Sequence, residues 1–246
     1  MAEYPFRYEL VDAGFAGHDI QTFAEYPEII MRQDSMIGNM GLLLDRAKTF
    51  RDLFQELSEY GIAAPDPRFV VSYDKYGTGH AATYIVADRV HGISLKEPGE
   101  EVPPDICLQT LDGITQYFKQ NVRKGGPMLA DLAPFQCIYG STAQNKTPQT
   151  YFVDLDLYAA HYDPNNPEEA MTDDDMVDVL ESLCHNLVSH AEYAQQLQER
   201  TDIDTRRIVQ DIAATVRELP YTGRNDDDLE VLRSCVAAVH AKTSGQ

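Results

Sequence analysis

The sequence predicts an α+β fold of two lobes, an antiparallel sheet carrying one helix followed by a mainly helical half. Three observations lead there. Between Tyr8 and Leu95, short β-rich segments surround a single helical stretch. Lys96 to Pro104 (KEPGEEVPP) then interrupts the chain with proline, glycine and glutamate. From Thr172 onward the apolar spacing is helical throughout. The break divides the chain into an N-terminal lobe over 1–95 and a C-terminal lobe over 96–246.

In chain order, Tyr8–Val11, Glu28–Arg32, Arg68–Tyr73 and Ala81–Val90 are rich in β-branched and aromatic residues, which suit a pleated, half-buried surface. Between the second and third of these, Leu43, Ala47, Phe50, Leu53, Phe54 and Leu57 recur at three- and four-residue intervals and predict a helix over Leu42–Tyr60. Gly61 stops it, and Pro65 and Pro67 prevent continuation. After the break, Asp105–Val122 reads as an amphipathic helix with Ile106, Leu108, Leu111, Ile114, Tyr117 and Phe118 on its apolar face. Met128–Ala130, Cys137–Tyr139 and Tyr151–Val153 read as short strands, the last two joined by the polar segment Gly140–Thr150 as a hairpin loop. Thr172 and Asp175 stand in capping-box spacing, and Asn225–Asp228 precedes a further helix; both acidic runs are read as helix starts rather than metal sites. There is no internal repeat, and Lys242–Gln246 is expected to be disordered.

Composition narrows the function. With 43% hydrophobic and 24% charged residues, the 246-residue chain can bury a substantial core. Its net charge of −20 argues against a nucleic-acid-binding surface, which must neutralise phosphates with Lys and Arg. An anionic ligand would need local cations or a metal. No apolar run reaches the roughly 18 residues of a membrane helix, and no secretory signal precedes Tyr8, so a cytoplasmic protein without membrane contact is expected. The four cysteines, Cys107, Cys137, Cys184 and Cys235, form no CxxC and are read as buried thiols. His185 and His190, five apart on a helix, share no face and are read as satisfied or exposed rather than ligating. Phosphate-loop, nucleophile-elbow and zinc-protease motifs are missing from the sequence.

The chemistry concentrates in Leu129-Ala130-Asp131-Leu132-Ala133-Pro134-Phe135-Gln136 and in Tyr151-Phe152-Val153-Asp154-Leu155-Asp156. An Asp followed five positions later by an amide, then a strand ending in Asp-x-Asp, resembles the catalytic loop and metal motif of the protein-kinase-like superfamily, nearest its aminoglycoside and choline kinase branch. The order of elements resembles it too, since a kinase small lobe has five strands with one helix after the third. The resemblance covers about residues 8–158 and implies a two-lobed kinase-like fold that binds ATP and Mg2+ and phosphorylates a small hydroxylated molecule. Asp131 would be the base, and Gln136, Asp154 and Asp156 the metal ligands. Arg32 would stand at the place of the phosphate-binding Lys, paired with one of the helix carboxylates Asp45, Asp52 or Glu56, of which Asp52 is preferred. Gly14 and Gly17 fall where the glycine-rich loop is expected, and Ala87 and Val90 on the segment between the lobes.

The departures open a second reading. Arg32 replaces Lys, Gln136 replaces Asn, Leu129-Ala130 stands for the usual His-Arg, and Leu155-Asp156 for Phe-Gly. No APE-like segment follows Asp156, so an activation segment for protein substrates is not expected. These changes suit a kinase-like nucleotide- or partner-binding protein without transfer activity. A third reading is an acidic interaction module unrelated to kinases. The sequence names neither the acceptor nor the oligomeric state.

Overall fold

The computed structural model describes residues 8–11, 20–38, 40–73, 81–129, 131–155, 159–162, 179–219 and 226–244. It is an α+β structure. The N-terminal half contains β1 (Tyr8–Val11), β2 (Ile20–Phe23), β3 (Tyr26–Gly38), α1 (Met40–Ser58), β4 (Ile62–Ala63), β5 (Arg68–Tyr73), β6 (Ala81–Asp88) and β7 (His91–Ser94). There follow α2 (Pro104–Lys124), β8 (Gly126–Leu129), a 3-10 turn (Pro134–Gln136), β9 (Cys137–Ser141), β10 (Gln149–Phe152), β11 (Ala159–Tyr162), α3 (Val179–Thr201), α4 (Arg206–Glu218) and α5 (Asp226–Ser244).

The strands form a five-stranded sheet in the order β1-β2-β3-β6-β5, all pairs antiparallel. A second sheet runs β4-β10-β9-β7, with β4 parallel to β10. The third is the pair β8–β11. The handover from first to second sheet falls between Asp88 and His91, a few residues before the compositional break, because β7 pairs with β9 of the later hairpin. Gly92 and Gly140 face each other across that pair; a Cβ on Gly140 would lie 2.3 Å from the His91 carbonyl oxygen. Only hydrogens there let the two backbones approach so closely.

The helical periodicity is realised closely in α1. Leu43, Ala47, Phe50, Leu53, Phe54 and Leu57 are all buried. In α2 the buried stripe is turned slightly from the expected one: Cys107, Leu111, Ile114, Tyr117, Phe118 and Val122 are buried, while Ile106 and Leu108 are only partly so. Its acidic first turn (Asp105) and basic last turn (Arg123, Lys124) match the helix dipole. Gly125 and Gly126, at φ 70° and 102°, turn the chain from α2 into β8 with a backbone few other residues adopt. One continuous apolar core joins α1, α2, the second sheet and α3–α5. All four cysteines are buried thiols. Leu232, Cys235 and Val239 anchor α5, which continues to Ser244, so the expected disorder of the tail is corrected for its described part. The capping pair Thr172 and Asp175 lies outside the described residues. Among the described residues no helix is long and apolar enough to cross a membrane.

Tyr117 ties this core to the segment that carries Asp131. It is fully buried, and its hydroxyl oxygen accepts the Leu129 N–H at 2.8 Å. Burial pushes the phenol pKa up, so the group stays protonated. Tyr117→Phe is expected to cost about 1–3 kcal/mol in chemical denaturation, the penalty for leaving a buried N–H without a partner.

Candidate active site

The segment from Leu129 to Gln136 is fastened at several points. Beyond the Tyr117 bond, the buried His190 of α3 shares its Nε2 with the Leu132 carbonyl at 2.9 Å. Gln136 Oε1 accepts the Ala133 N–H at 2.7 Å, and the Gln136 N–H returns to the Ala133 carbonyl. Pro134 begins the 3-10 turn, with Leu132 and Ala133 buried beneath it. Asp131 is left exposed at the mouth of a cleft of about 870 Å3.

The hairpin β9–β10 delivers Asp154 to the same cleft. Its Oδ1 meets Arg32 Nη1 at 2.5 Å, and its Oδ2 accepts from Gln136 Nε2 at 3.2 Å. A chain of contacts therefore runs from the first sheet through Asp154 and Gln136 to the backbone of Ala133. The two charged side chains are 14% and 34% exposed, a partly desolvated pair. The opposite wall comes from Lys96 and Glu97 after β7 and from Ser189, Glu192 and Tyr193 on α3. Tyr193 donates its hydroxyl to the Leu95 carbonyl at 2.9 Å, so α3 grips both the segment after β7 and, through His190, the Asp131 loop. Phe135, 52% exposed, also lines the cleft.

Asp131, Gln136 and Asp154 are thus brought together. The amide of Gln136 is oriented by both neighbours, because reversing it would set its oxygen against a carboxylate and its NH2 against the Ala133 N–H. The oxygen that a metal would need is therefore committed to the backbone. Gln136 Oε1 and both carboxylate oxygens of Asp154 thus each already accept a hydrogen bond.

Asp52 is corrected as the partner of Arg32. It accepts from Arg51 and is 62% exposed, because α1 turns Leu53 and Phe54 inward and Asp52 outward. Glu56 pairs with Lys124 of α2. Ala87 is buried in β6 opposite Ile30, and Val90 is half-buried before β7; neither lines the cleft. Gly14, Gly17 and Asp156 lie outside the described residues.

Sequence reasoning missed His190 and Tyr193 as parts of the site. His190 falls in the buried stripe of α3 with Leu183, Leu187, Ala194 and Leu197, and a polar residue on such a stripe is the signal that could have marked it. Its Nε2 is bonded, but its buried Nδ1 finds no partner among the described residues. Burial lowers its pKa to about 4, so near neutral pH the ring is uncharged and donates from Nε2 to Leu132.

Comparison with protein-family models finds no match to this chain, and comparison with curated proteins finds none either.

Proposed function

We propose that the chain is a kinase-like protein whose cleft binds a nucleoside or nucleotide. The observation that carries this reading is the contact chain Arg32–Asp154–Gln136–Ala133 beside Asp131, which ties the first sheet, through Arg32, to the hairpin and loop residues that line one cavity. The five-stranded sheet, with α1 following the third strand, supports it, being the arrangement the resemblance implies. Ile138, Val153 and Phe135 give the cleft apolar surface suited to a flat base.

Phosphoryl transfer from ATP to a small hydroxylated molecule is the second reading, favoured by the exposed carboxylate of Asp131 in the same cleft. There Asp131 would take the proton of the attacking hydroxyl. On that reading Asp131→Asn lowers turnover by roughly 10²–10⁴ while leaving nucleotide affinity nearly intact. Binding without transfer predicts no turnover across a panel of sugars, amines and alcohols, in wild type and variant alike.

The binding reading is tested by thermal shift with adenosine, AMP, ADP and ATP. At least one of them should stabilise the protein by about 2.7 kcal/mol when present at a hundred times its Kd. No shift with any of the four at millimolar concentration would overturn it.

A further inference from the structure

Asp154 already has a cation. Its Oδ1 holds the Arg32 guanidinium in a short, charge-assisted and partly desolvated contact, and its Oδ2 holds the Gln136 amide. A metal ion at Asp154 would share the carboxylate with the guanidinium, a second positive charge at close range that opposes its binding. Recruiting Gln136 as well would mean reversing an amide whose oxygen satisfies the Ala133 N–H. Among the described residues the charged side chains lining the cleft beside Asp154 are Asp131, Glu97, Glu192 and Lys96, of which Glu97 pairs with Arg200 at 2.8 Å, in a chain of net charge −20. A triphosphate brought there without its metal meets repulsion from these carboxylates, whereas a nucleoside meets none. Phe135, more than half exposed at the cleft, offers a ring face to an aromatic base.

We propose that the resident cation of this site is the guanidinium of Arg32, so that the cleft takes its ligand without a divalent metal. That ligand carries less negative charge than a triphosphate: a nucleoside or nucleoside monophosphate. This rests on the nucleotide reading above and extends it to the ligand's charge and the metal.

The metal half is tested with Mn2+ alone, following the free ion by electron paramagnetic resonance. Wild type and Asp154→Asn should bind Mn2+ equally weakly. Arg32→Met, which uncovers the carboxylate, should bind at least tenfold more tightly, and the double variant should lose that gain. Wild-type affinity that falls on Asp154→Asn overturns the proposal, and this comparison needs no Arg32 variant to fold. The ligand half is read by thermal shift with adenosine, AMP and ATP, each with Mg2+ or with EDTA. Adenosine or AMP should give the largest shift, the same in both conditions. A largest shift from ATP in Mg2+, abolished by Asp154→Asn, contradicts it. If none of the three moves the transition while Mn2+ behaves as expected, the metal half stands, and the ligand half falls together with the nucleotide reading.

Discussion

Gly140→Ala should destabilise the protein by about 3 kcal/mol or more, the upper range for overpacking a closed site. The added Cβ would lie 2.3 Å from the His91 carbonyl oxygen and 2.7 Å from the Gly92 Cα. Both are backbone atoms of a paired strand, so neither can rotate away as a side chain would. The consequence reaches the site because β7 and β9 must lie close for the Leu95 N–H to bond the Cys137 carbonyl at 3.0 Å. That contact sets Lys96 and Glu97 beside the loop bearing Asp131. The denaturation midpoint of Gly140→Ala should fall sharply, while Ser141→Ala next to it should change stability by under about 0.5 kcal/mol.

The second large effect is a pH dependence centred on His190. Burial lowers its pKa from 6.5 to about 4, and the unfolded chain therefore binds more protons than the folded one between these values. The stabilisation is fully present above the unfolded pKa near 6.5 and is lost as pH falls through the folded pKa of about 4. It amounts to about 3 kcal/mol over that window. His190→Leu removes this contribution, along with the Nδ1 that has no partner among the described residues and the bond to the Leu132 carbonyl. Near pH 7 the last two changes oppose each other and stability should change little. Between pH 6.5 and 4 the variant should lose less stability than wild type. Parallel stability curves for the two proteins over that range would show that His190 titrates normally.

The sequence made the larger elements legible where packing follows a simple period. The spans of β1 and β5 match the segments read from β-branched and aromatic content, and the inward face of α1 is the one its spacing predicts. The gathering of Asp131, Gln136 and Asp154 was legible because a tight loop and the adjoining hairpin place them by local geometry. β4 and β7 were not. β4 has two residues, too few for any period, and all four residues of β7 are exposed, so no alternation marks it. The partner of Arg32 was illegible for another reason. Asp154 lies 122 residues away, whereas several carboxylates on α1 offered nearer partners, and only the rotation of that helix decides against Asp52. The orientation of the Gln136 amide likewise depends on two partners that meet only in the folded chain, Ala133 and Asp154.

If the cleft between the Asp131 loop, the β9–β10 hairpin and α3 binds a nucleoside or nucleotide as proposed, the ligand should protect the backbone around it. Amide hydrogen exchange, compared with and without a saturating adenosine nucleoside or nucleotide, tests it most directly. Slowed exchange is expected at Lys96–Glu97, along Leu132–Ile138 and at Val153–Asp154, the backbone that borders the cavity. Protection confined to the outer strands of the first sheet, or to α4 and α5, would place the ligand elsewhere and contradict binding in this cleft.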